Sequence, residues 1–130
     1  MTTQQVRLTL DLTGADCGSI ATTAAEGGIG YWSVIESYDF MRWSNEDGYP
    51  LDVDTEFVFY TIHEYDLDDP EYSRPAKAGH DITPAVIRRG VQQWLDEGRR
   101  FDDMSDLAAM DADEADCVIQ YGLFGEVIYG

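Results

Sequence analysis

The segment Glu26-Gly27-Gly28-Ile29-Gly30-Tyr31-Trp32 concentrates residue types that chemistry uses. Three glycines in four positions let backbone come close to a ligand or to another segment, and a carboxylate and two aromatic rings flank them. Two readings stand side by side. In one, the glycines end a helix and Trp32 fills the core; in the other, Tyr31 or Trp32 stacks on a planar ligand or a partner. The spacing fits neither the GxxxxGKS/T phosphate loop nor the dinucleotide GxGxxG, so no phosphate cradle is expected.

Other reactive constellations are weaker. Glu26 and Glu126 offer an acid/base pair, but 26 acidic residues supply such pairs by chance. His63 and His80 are the two histidines, far apart in sequence. Asp66, Asp68 and Asp69, or Asp102, Asp103 and Asp106, lack the glycine and closing glutamate of a calcium loop. Cys17 and Cys117 have no CxxC spacing and read first as small buried hydrophobes, with a long-loop disulfide as the lesser alternative. Ser19, Ser33 and Ser37 sit in no GxSxG elbow. No metal, cofactor or catalytic group is expected, and the balance weighs against an enzyme.

The elements that must position the glycine-aromatic segment can be read from periodicity. Residues 6–13 alternate Val6, Leu8, Leu10 and Leu12 against polar neighbours, a half-buried strand. Residues 14–26 form a short helix with Cys17, Ile20, Ala21 and Ala24 on one face, capped by Gly27 and Gly28. Aromatic and β-branched residues predict strands over 31–43 and 55–65, paired antiparallel across the turn at 44–50. Residues 66–79 read as a loop. Thr83-Pro84 opens a helix whose stripe is Ile87, Val91, Trp94 and Leu95 and which ends at Gly98; residues 99–110 form an irregular or short helical connector. Asp111 and Glu114 then make a capping box. Ala115, Val118, Ile119, Gly122 and Leu123 form one apolar stripe, Gly125 supplies a left-handed cap, and Val127 to Tyr129 return as a strand or dock on the core. The expectation is a single α+β domain, an antiparallel sheet of three to four strands with about three helices packed on it.

Composition bounds the function. The chain has 130 residues, 44% of them hydrophobic, enough for one domain with its own core. Residues 1–5 carry no positive stretch, and no apolar run nears the roughly 20 residues of a membrane span, so a cytoplasmic protein is expected, with no membrane partner. The formal net charge is -18, which would repel nucleic acid and excludes bulk electrostatic DNA binding. Salt adaptation, mimicry of nucleic acid and plain solubility each account for such acidity. The basic residues cluster between Arg74 and Arg100, where six stand against three acidic ones, and mark either pairing with the acidic surface or a partner contact.

Two stretches together, TTAAEGGIGYW and DADEADCVIQYGLFGEVIYG, resemble a family of small phage- and prophage-encoded proteins with an ALEGGINYW-like segment and a closing ADxIIQYALFGExVYG-like segment. ITPAVIRRGVQQWL stands where that family has its middle helix. The resemblance carries over Glu26, Gly27, Gly28, Tyr31, Trp32, Asp116, Gln120, Phe124, Gly125, Glu126 and Tyr129, with Ala25 and Gly30 departing from the pattern. It implies no particular chemistry. The reading is an accessory protein that binds a host or viral protein where EGGIGYW meets the terminal helix. Glu26, Gly27, Gly28, Tyr31, Trp32, Asp116, Gln120 and Glu126 are the candidate site, and self-association stays open. The alternatives are a small-ligand or nucleotide pocket at the same segment, enzymatic or not, and a DNA mimic that blocks a host defence protein.

Overall fold

The computed structural model describes residues 11–65 and 79–130. Most of the expected first strand and nearly all of the expected loop over 66–79 lie outside the described residues. Helix α1 (Gly14–Thr23) opens with the capping box Thr13–Asp16 and buries Gly14, Cys17, Gly18 and Ala21, a stripe of small side chains. Strands β1 (Ser33–Ile35), β2 (Tyr60–Glu64) and β3 (His80–Ile82) form an antiparallel sheet in the order β1-β2-β3, with Val34 opposite His63 and Thr61 opposite Asp81. Helix α2 (Pro84–Asp96) starts on the Thr83 N-cap with proline in its first turn. Helix α3 (Ala112–Phe124) starts on the Asp111–Glu114 capping box and ends at Gly125, whose φ of 75° is the left-handed cap the sequence calls for. The fold is α+β, as expected, and no helix of the described residues is long and apolar enough to cross a membrane.

The middle of the chain departs from expectation. Residues 31–43 are not one strand: three residues pair as β1, and Phe40–Trp43 forms a 3-10 turn. Of the aromatic residues that suggested a strand, Tyr38 and Phe40, joined by Phe59, gather instead edge-on to the buried Trp43 ring at 5.4 to 5.7 Å. Strand propensity in such residues reports a preference for packing on a half-buried surface, and this cluster satisfies it without a ladder. The second expected strand is also shorter, because Phe57 N–H closes a turn on Asp54 and pairing begins only at Tyr60. β3 has only three residues, too few for an alternation to show.

Side chains tie the layers together. Tyr60 OH donates to Ala21 O at 2.6 Å and joins β2 to α1. Helices α2 and α3 cross at two glycines. A Cβ on Gly90 would lie 1.9 Å from Val118 O, and one on Gly122 would lie 2.1 Å from Val86 O, so the backbones touch where no side chain fits. Arginines brace this scaffold, two of them from the basic cluster. Arg88 donates to Leu12 O, Arg89 to Gly122 O, and Arg42 to Val58 O and Phe59 O. Among the described residues His63 Nε2 lies 3.3 Å from Glu36 and His80 Nε2 lies 3.1 Å from Glu64, ion pairs only when the imidazole is protonated, and no arginine pairs with a carboxylate.

Candidate functional site

Asp116 and Gln120 lie four residues apart on one face of α3 and carry the local geometry. Gly125 turns the chain back, so residues 126–130 run beside the helix they have just left. Gln120 fastens that return: its Oε1 accepts from Ile128 N–H at 2.9 Å and Tyr129 N–H at 2.8 Å, and its Nε2 faces Tyr129 O at 3.3 Å. Both faces of one amide are thus used, and Nε2 also donates to Asp116 Oδ1 at 2.9 Å.

The glycine-aromatic segment meets the same carboxylate. Helix α1 does not stop at Gly27 and Gly28 as expected; it continues through Ala24–Gly28 as a π turn in which neither glycine has positive φ. The glycines serve close approach instead. A Cβ on Gly28 would lie 2.8 Å from Ala112 O and 3.5 Å from Asp116 Cβ, and one on Gly27 would lie 3.4 Å from Ala112 Cβ. A turn closed by Trp32 and Ser33 N–H on Ile29 O then sends two consecutive side chains the same way. Tyr31 OH donates to Asp116 Oδ2 at 2.6 Å and Trp32 Nε1 donates to Oδ1 at 2.8 Å. Asp116, only 8% exposed, is therefore held by three neutral donors.

Aromatic contacts extend the network. Trp32 stacks on Tyr129 with centroids 4.9 Å apart and planes at 7°, and meets Phe124 edge-on at 5.8 Å. Tyr129 OH donates to Glu64 Oε1, and His80 Nε2 lies 3.1 Å from Glu64 Oε2 while its ring stands edge-on to Phe124. Burial, then the bond to Asp116, pushes the Tyr31 phenol up to about 12; burial, then Glu64, does the same for Tyr129. Both are donors at neutral pH, not bases.

Of the expected site, Gly27, Gly28, Tyr31, Trp32, Asp116 and Gln120 come together. Glu26 instead accepts from Tyr38 OH at 3.4 Å, and Glu126 is exposed on the returning segment. Glu64 and His80 were not foreseen. The available signal was period two in the strand: Glu64 follows Tyr60 and Ile62 onto the core face, an unusual place for a carboxylate.

Two further groups hold reactive side chains. Asp102, Asp111 and Glu114 bring carboxylate oxygens within 4.8 Å of one another. Two of the three accept backbone N–H groups, Glu114 Oε2 from Asp102 at 2.9 Å and Asp111 Oδ1 from Glu114 at 2.8 Å, at a helix N-terminus whose dipole disfavours a cation. Cys17 and Cys117 are free thiols, and burial raises both, Cys17 to about 11, away from nucleophilic thiolate. Comparison with protein-family models, with curated proteins and with solved structures finds no match to this chain.

Proposed function

We propose that this chain acts by binding another protein and not by catalysis, in the cytoplasm, as an accessory protein of the phage type that its two segments resemble. The observation that carries the reading is where the reactive-looking atoms point. Trp32, Asp116 and Gln120 spend their polar groups on one another and on the returning backbone, which builds a rigid corner. That corner presents Tyr31, Val127 and Ile128 outward, 56%, 38% and 46% exposed. Apolar side chains held by a satisfied internal network suit a preformed contact surface, since little conformational freedom is lost on docking.

The test is capture from lysate of the cell type that expresses the protein, followed by mass spectrometry, with wild type and Val127→Ser/Ile128→Ser as paired baits. One protein retained at comparable amount to bait by wild type, and lost from a variant whose melting temperature is unchanged, supports the reading. Equal capture by both baits, or none by either, overturns it.

A further inference from the structure

We infer that the partner's contact is cationic around an apolar centre: a segment carrying lysine or arginine that flanks aliphatic or aromatic residues. The inference rests on the binding reading above and adds the chemistry of the bound surface. Tyr31 and Ile128 belong to one patch, because Tyr31 OH and Ile128 N–H both lie within 3.5 Å of the same Gln120 amide. Carboxylates border that patch. Asp113 sits three residues before Asp116 on the same side of α3, and Glu126 directly precedes Val127; both are exposed. Among the described residues no arginine pairs with them: Arg89 donates to Gly122 O, and Arg99 lies 3.7 Å over the Trp94 ring. A neutral apolar partner would leave these charges partly desolvated at the rim, and an anionic one would meet a chain of net charge -18. A second copy meets the same repulsion. A cationic rim with an apolar centre satisfies both parts of the surface.

The probes are three synthetic 15-residue peptides: one of leucine and lysine in amphipathic order, one with each lysine replaced by glutamine, and one with each leucine replaced by serine. Binding to the isotope-labelled full chain is read by amide chemical shifts and titration in 0.1 M and 1 M KCl, where the screening length falls from about 10 Å to about 3 Å. The expected result is that the leucine-lysine peptide shifts residues 30–31 and 126–130 and binds about tenfold more tightly than either control. Its affinity drops about tenfold in 1 M KCl and by a similar factor in Val127→Ser/Ile128→Ser, but is unchanged in Met41→Ser/Tyr49→Ser, an exposed pair from the segment around Trp43. Shifts spread over the acidic surface, equal binding of the serine-lysine peptide, or dependence on Met41 and Tyr49 overturns the inference. Equal binding of the glutamine-leucine peptide at residues 126–130 overturns the charge argument while leaving the binding reading intact. Self-association abolished by Val127→Ser/Ile128→Ser identifies a second copy as the occupant and overturns it as well.

Discussion

Replacing Asp116 by alanine removes the acceptor that joins the two halves of the site, and the cost follows from what its three donors do next. Tyr31 is 56% exposed, so its hydroxyl turns to water. Gln120 Nε2 retains Tyr129 O at 3.3 Å. Trp32 is 2% exposed, and among the described residues its indole N–H donates to Asp116 alone. One buried donor left unmade costs about 1–3 kcal/mol, and the space vacated by the carboxylate adds to it. Against this, alanine relieves the desolvation of a carboxylate buried without a cation. The net is a loss of about 2–3 kcal/mol, a sizeable part of the 5–15 kcal/mol that holds a typical domain together.

Asp116→Asn separates shape from charge. Its Oδ1 still accepts from Trp32 and Gln120, its Nδ2 faces the Tyr31 oxygen, and only the charge assistance is lost, so the expected cost is about 1 kcal/mol or less. Thermal unfolding followed by far-ultraviolet circular dichroism, in one buffer at fixed salt, decides the matter. The alanine variant melts roughly 10 °C below wild type and the asparagine variant within about 4 °C. Alanine and asparagine variants that lose equal stability, or an alanine variant that melts with wild type, would refute the claim that a shared acceptor organises the corner.

Three further outcomes follow from other contacts. Gly90→Ala or Gly122→Ala forces α2 and α3 apart, because the new Cβ would meet carbonyl oxygens at 1.9 Å or 2.1 Å; each should cost more than about 3 kcal/mol or abolish soluble expression, and a variant with unchanged urea midpoint contradicts the close crossing. The phenols of Tyr31 and Tyr129 are raised from 10.0 to about 12, so stability is complete below pH 10, where both states are protonated, and falls as pH rises from 10 toward 12 while the unfolded chain ionises first. Urea unfolding at pH 9, 10 and 11 should show that fall, shallower in Tyr129→Phe; a flat profile is incompatible with it. With a net charge of -18 and no arginine–carboxylate pair among the described residues, added KCl screens repulsion and breaks few attractions. The melting temperature should therefore climb between 0.05 M and 1 M KCl, and a decrease would show that attractive pairs dominate.

The parts of this fold that the sequence made legible are those whose cause is local. Asp111, Glu114 and Gly125 specify where α3 begins and ends through bonds that span three or four residues, and Thr83-Pro84 does the same for α2. The stretch 31–43 was illegible because its outcome is decided by Trp43, a buried side chain packed against Phe59 and Tyr60, which no local window contains. The candidate site lies between these cases. Its two halves stand 85 residues apart at Tyr31 and Asp116, a separation that periodicity cannot bridge. What could be read was the helix phase, which puts Asp116 and Gln120 on one face, and the bareness of Gly28, which lets another backbone come near. The direction of the result could not: the same residue types that suggest a pocket when their polar atoms face outward make a corner when those atoms face each other. In this chain that choice is set by Gly125. Its left-handed turn brings Ile128 and Tyr129 back to Gln120, fills the space beside Trp32 with the Tyr129 ring, and leaves Tyr31 and Ile128 as the surface a partner would meet.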